Sequence, residues 1–216
     1  MSRRPWIPWL AGVLMVPVLF AFDRELHLAV HGFANRERTG APPPAVETIF
    51  DALRTVGKFP AILLAGVLLW RLHRRGPVWA GTLAASVGGA LGVAELIWRT
   101  VNRVRPENTD PPGLTIFLDP FQGFLGSRAG PSFPSSESAA AWAVAGTLAA
   151  AVPELRGLWY ALAAGCSLMR VEAGAHFVSD VWVGALLGLA SAALCETIAR
   201  RWWPEASGPA RHSDAR

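Results

Sequence analysis

Little in this chain is suited to facing water on every side, and little could cross-link it. Only 17% of its 216 residues are charged against 52% hydrophobic, and the mean hydropathy is +0.31. That balance excludes an ordinary soluble domain, in which about 25% of residues are charged, and points to a protein of the membrane. Cysteine is scarce: Cys166 and Cys195 both sit inside apolar stretches, so no disulfide framework is implied and both read as small buried hydrophobes. No long polar linker divides the sequence, so one domain is expected over residues 1–202, with a disordered tail over 203–216. A basic face is missing too. The net charge of +4 comes from arginines that flank apolar runs, which reads as membrane topology and site chemistry and excludes nucleic acid as a partner. Where polar residues cluster, one histidine, His176, stands with scattered carboxylates, which is poor metal-ligand geometry, so no metal and no cofactor are expected.

What is present is a series of apolar runs, over residues 6–22, 59–72, 77–98, 135–152, 155–171 and 177–202. They predict an all-α polytopic bundle of about six membrane helices. The first run is read as a retained anchor, because residues 20–23 make a poor cleavage site for a signal peptide. Residues 23–58 read as an extramembrane loop, with a short amphipathic surface helix over 45–53. Gly81, Gly88, Gly89 and Gly92 in the third run are expected to let neighbouring helices approach closely. Residues 99–134 are too polar, and too rich in proline and glycine, to span. An even number of helices puts both termini on one side. The twenty lysines and arginines divide evenly between the two sides, so their density decides: the short connection with Arg71, Arg74 and Arg75 is cytoplasmic, and the termini with it. In a cytoplasmic (inner) membrane, the 99–134 loop, the start of the fourth run and the turn after Arg170 then share the outer face.

Three clusters meet there: Arg99, Arg103, Arg105 and Pro106; Pro134, Ser135, Ser136 and Glu137; and Arg170, His176 and Asp180. A phosphate group accounts for the mixture. Guanidinium groups bind its oxygens bidentately, and serine hydroxyls with free backbone N–H groups at a helix N-terminus add donors. His176 and Asp180 are four apart and share a helix face, so the carboxylate can fix the tautomer of a histidine that attacks phosphorus.

The third cluster resembles the signature of the type 2 phosphatidic acid phosphatase (PAP2) family, the membrane relatives of the vanadium haloperoxidases. That signature reads Ser, Arg, five residues, His, three residues, Asp; Arg170, His176 and Asp180 match, with Met169 at the serine. The first signature, Lys, six residues, Arg, Pro, is met by Arg105 and Pro106, with Trp98 at the lysine and Arg99 next to it as a substitute. The second, Pro, Ser, Gly, His, is met by Pro134 and Ser135, with Ser136 and Glu137 at the last two places. The resemblance covers residues 98–188. It implies a phosphohistidine on His176, orientation by Asp180, phosphate binding by Arg105, Arg170, Ser135, Ser136 and Arg99, and the leaving-group acid at Glu137. The substrate implied is a phosphorylated membrane lipid, hydrolysed as a monoester or pyrophosphate without metal.

Other readings stay open at this stage. Arg99 pairs with Glu95 one helical turn away, Arg103 contacts lipid headgroups, Glu137 is a first-turn capping carboxylate, and Glu172 orders the loop or pairs with an arginine. At the level of function the alternatives are an impaired protein that binds anionic lipids, and a lipid phosphotransferase using the same phosphoenzyme.

Overall fold

An alanine-rich helix lies at the centre of the bundle. The computed structural model describes residues 7–36, 44–110, 113–118 and 131–203. Among these are seven α-helices: α1 (Ile7–Arg36), α2 (Pro44–Thr55), α3 (Phe59–Leu72), α4 (Gly76–Thr100), α5 (Ser136–Ala151), α6 (Arg156–Glu172) and α7 (Val178–Trp202). Short 3-10 turns at Pro106–Asn108 and Pro153–Leu155 complete the described elements, and the one β contact is an isolated bridge between Arg103 and Phe117.

Helix α5 is buried on nearly every side, with Ala139, Ala140, Ala141, Ala143 and Ala145 in the core. One cluster packs it against Leu69 of α3 and Trp79, Leu83, Val87 and Ala90 of α4; a second joins it to Ala163 and Cys166 of α6. Small side chains allow this. A Cβ on Gly184 of α7 would come within 2.5 Å of the Ser135 carbonyl oxygen, and one on Gly188 within 2.3 Å of that of Ala139. Close approach therefore lies between α5 and α7. The glycines of α4 expected to provide it mostly do not: Gly81, Gly88 and Gly92 face open space, and only Gly89 approaches a neighbour, Ser191 of α7. Hydroxyls add ties between helices, from Thr147 to Ser86 and from Ser191 to the Ser86 carbonyl.

The start signals are local. Pro60 and Pro77 occupy first-turn positions in α3 and α4, where a missing N–H leaves nothing unsatisfied. Ser135 caps α5 by accepting from the Ser138 N–H, and Asp180 caps α7 by accepting from the Phe177 N–H at 2.7 Å.

One expectation is corrected. Residues 23–36 belong to α1 and not to a loop, and this brings Asp23 into the bundle, where it is completely buried. Among the described residues, two helices are long and apolar enough to cross a membrane, α4 and α7, with the bent α2–α3 pair, broken by 69°, as a third. Helices α3, α5 and α6, at 14, 16 and 17 residues, fall short of the roughly 20 a straight span needs. The amphipathic helix over 45–53 is present as α2. The tail and most of the 108–130 loop lie outside the described residues.

Candidate active site

The site forms where the N-termini of α5 and α7 meet the C-terminus of α6. Helix α6 ends in a turn through Gly174, whose φ of +73° is a left-handed conformation glycine adopts without strain. That turn delivers His176 immediately ahead of α7. The first sequence cluster is docked on it, because the Glu107 N–H donates to the Gly174 carbonyl at 3.1 Å.

His176 is almost wholly buried. Its Nδ1 lies 2.7 Å from the Ser132 carbonyl oxygen, which can only accept, so Nδ1 carries the proton and the lone pair of the neutral ring is on Nε2. Nε2 has no hydrogen-bond partner among the described residues, and neither has Nε of Arg170. Buried polar atoms in that condition are rare and mark a place where a ligand supplies the partner. Glu137 stands between them, with one carboxylate oxygen 3.1 Å from Arg170 Nη2 and the other 3.5 Å from His176 Nε2.

Asp180 does not orient the ring directly, in contrast to what its spacing suggested. Its Oδ2 is 3.9 Å from Nδ1, because both oxygens are engaged elsewhere: one with Arg103 at 2.6 Å, the other with the Ser132 hydroxyl and the Phe177 N–H. Ser132 is the link. It donates its hydroxyl to Asp180 and its N–H to the Arg103 carbonyl, while its own carbonyl holds His176.

Arg103 is a correction to the sequence reading. It is completely buried and contacts no lipid headgroup region. Its guanidinium joins Asp180, Ser179 and Asp23, with the Thr115 hydroxyl at 3.2 Å, and its carbon lies 3.8 Å from the centre of the Phe177 ring. Asp23, Ser132 and Ser179 were missed by sequence reasoning. A carboxylate just past the first apolar run was the available signal for Asp23; Ser132 and Ser179 carried none.

The remaining expected residues are placed as follows. Ser135 is buried and its hydroxyl caps α5, while Ser136 is exposed at the first helical position. Arg105 is part-exposed at the rim, 3.8 Å from Glu107. Arg99 is paired with Glu95 at 2.7 Å on the exposed side of α4, the alternative its spacing allowed. Trp98, at the lysine position of the first signature, donates its indole N–H to the Pro131 carbonyl and so pins the strand of chain that carries Ser132. Glu172 pairs with Arg54 of α2 at 2.8 Å, and Gly57 packs its backbone on the Glu137 carbonyl. The α2–α3 turn thus braces the site from the side.

Below the site an apolar groove of about 500 Å³ runs between α3, α5 and α6. Its lining includes Val56, beside Gly57, and the α5 stripe Ala141, Val144, Ala145 and Leu148, which begins one turn beyond Glu137.

A helical bundle with exposed apolar helices, two of them long and apolar enough to cross a membrane, is that of an integral membrane protein. The chain belongs to the PAP2 superfamily, whose family profile matches residues 79–204. Over 96 residues it is 33% identical to the lipid A 1-phosphatases of Rhizobium etli and Rhizobium johnstonii. The match takes in 44% of this chain but only 40% and 38% of those relatives. The fold is similar to that of the crystal structure of Aquifex aeolicus LpxE, with a TM-score of 0.61 and 19% identity over 82% of this chain and 95% of that one. It is also similar to a transmembrane PAP2-type phosphatidylglycerolphosphate phosphatase from Bacillus subtilis, with a TM-score of 0.58 and 20% identity over 89% and 94% of the two chains.

Proposed function

We propose that this protein is a lipid phosphatase that hydrolyses a phosphate monoester or pyrophosphate through a phosphohistidine on His176. The observation that carries the reading is His176 Nε2, buried without a hydrogen bond and 3.5 Å from the Glu137 carboxylate that also holds Arg170. Arg170 holds the phosphoryl group, with Arg105 at the rim and the first-turn N–H groups of α5 near Ser135 and Ser136 as further donors. Nε2 attacks phosphorus, the bond to the lipid oxygen breaks, and that oxygen takes a proton from Glu137. Water then attacks the phosphohistidine, gives its proton back to Glu137, and leaves inorganic phosphate and the neutral ring.

Glu137 can serve as that acid through an exchange of partners. When a phosphate takes Arg170, the carboxyl loses its cation and gains an anionic neighbour, and both changes favour protonation. The acyl chain of the lipid lies in the groove that starts one turn below Glu137. Six crossings, counting the bent α2–α3 pair as one, put both termini in the cytoplasm and the site on the outer face of the inner membrane. The names of the curated relatives make a 1-phosphorylated lipid A the first candidate substrate; phosphatidylglycerophosphate, phosphatidate and a polyprenyl diphosphate follow.

The test is phosphate release from these lipids by purified protein, alongside His176→Ala. Release by the native protein alone supports the reading, and equal release from both ends it. The second reading, a protein that binds anionic lipids without turnover, is favoured by the Glu137–Arg170 pair, which fills the phosphate position. Lipid binding with no phosphohistidine on trapping would support it. Transfer of the phosphoryl group to a lipid acceptor, visible as a phosphorylated second lipid, distinguishes a phosphotransferase from a hydrolase.

A further inference from the structure

We infer that Asp23, on α1, is a positioning residue of this site: it holds Arg103, Arg103 holds Asp180, and Asp180 holds the Ser132 segment that sets the His176 ring. The inference rests on the reading of His176 as the nucleophile. Each link is a short contact between buried groups. Asp23 accepts from Arg103 Nη2 at 2.8 Å, from the Ser179 N–H at 2.9 Å and from the Ser179 hydroxyl. Arg103 in turn donates to Asp180 at 2.6 Å and to Ser179 at 2.8 Å.

Stability alone does not call for this arrangement. One guanidinium and one carboxylate would already be neutral, and burying a second carboxylate adds a desolvation penalty that a well-packed apolar residue would avoid. The second carboxylate does two things for the site. It fixes the guanidinium in one plane across the Phe177 ring, so Asp180 and Ser132 have a single arrangement. It also sets two carboxyl groups against one guanidinium behind His176, on the Nδ1 side of the ring. The charged groups facing the ring are then Glu137 from α5, with Arg170 from α6 behind it, and Asp180 from α7 backed by Arg103 and Asp23. Carboxyl oxygens held on that side favour the positive ring that forms when Nε2 bonds to phosphorus. Helix α1 is thereby part of the site and not only an anchor.

The experiment compares the native full chain with Asp23→Asn, Asp23→Glu and Ser179→Ala. It reads kcat, KM, the acid limb of kcat/KM and the thermal midpoint in detergent. Asp23→Asn keeps Arg103 paired with Asp180 and is expected to fold. It is expected to lower kcat by about 10- to 100-fold, the scale on which small misplacements of a reacting group act, with KM within about twofold. The acid limb should differ from native, because the groups behind the ring are no longer held in one arrangement. Asp23→Glu should recover part of the rate. A kcat within about twofold of native, or a lowered thermal midpoint with kcat and acid limb unchanged, overturns the proposal. If Asp23→Asn does not fold, Ser179→Ala loosens the hold of Asp23 on Arg103 by removing the hydroxyl the two share, and full activity in that variant overturns the proposal equally. Should the native protein show no turnover, the catalytic reading fails and Asp23 is judged separately by the nitrogen shifts of His176: an unchanged tautomer and titration in Asp23→Asn overturns the relay.

Discussion

One carboxylate oxygen of Glu137 lies 3.1 Å from the Arg170 guanidinium, and the other lies 3.5 Å from Nε2 of His176. A single acidic side chain therefore bridges the two groups that a phosphoryl group would touch. Substrate has to displace that bridge, and the displaced carboxyl is left beside both the scissile bond and a new anion. If it is the acid, Glu137→Gln should lower kcat/KM, which reports formation of the phosphohistidine and not its hydrolysis, by about 100-fold or more on a lipid phosphate whose oxygen needs a proton to leave. On an aryl phosphate with a good leaving group the loss should be within about fivefold. Equal losses on both substrates would remove the acid role from Glu137.

Arg170 should be hard to replace even by lysine. Its guanidinium offers two parallel donors to a phosphoryl group, whereas an ammonium is a point charge. Arg170→Ala is expected to lower kcat/KM by about 100-fold or more, and Arg170→Lys to restore less than a tenth of that loss. Steady-state kinetics on one lipid phosphate check both, and full recovery in the lysine variant would show that charge alone suffices.

Removing Arg103 should be far more disruptive than removing either of its partners. Arg103→Met leaves Asp23 and Asp180 buried with no cation, a change that costs about 3–5 kcal/mol where buried pairs are broken. A large drop in the thermal midpoint in detergent is expected. An unchanged midpoint would mean that the two carboxylates are not held as ions by this guanidinium.

The glycines separate by what a side chain would meet. Gly188→Ala places a Cβ against the backbone of α5 and should destabilise by about 1–3 kcal/mol, outweighing the better helix propensity of alanine. Gly88→Ala meets open space and should leave the protein as stable or slightly more so. Thermal unfolding of the two variants side by side tests the assignment of close packing to α5 and α7.

The helical runs could be read from apolar length, and the grouping of His176, Arg170 and Glu137 from their resemblance to two short signatures with a helix start at Ser135, because each of these is local in the sequence. What could not be read depends on where distant segments meet. Arg103 and Asp23 are 80 residues apart, and nothing in either neighbourhood marks them as partners. Arg103 lies in a polar stretch like its exposed neighbour Arg99, and only the fold buries one and leaves the other on the surface. The extent of α1 was misjudged for a related reason: Asp23, Arg24 and Glu25 look like the end of a membrane run, yet the helix continues because Asp23 finds its cation inside the bundle. The α4 glycines failed as markers because composition says where approach is allowed, not which face meets a neighbour.

The groove between α3, α5 and α6 gives the last prediction. If an acyl chain occupies it, the groove contributes binding in proportion to the length of chain it covers, about 0.8 kcal/mol per buried methylene. Filling it with Ala65→Phe, a change on α3 well removed from His176, should raise KM for long-chain lipid phosphates by tenfold or more, since such a loss follows from displacing only two or three methylenes. A short-chain analogue, which does not reach Ala65, should be turned over by the variant as by the native protein, with the same kcat. The contrast between the two chain lengths is what identifies the groove. A uniform rise in KM would place the effect in the bundle as a whole, and no rise with either lipid would show that the chain lies elsewhere.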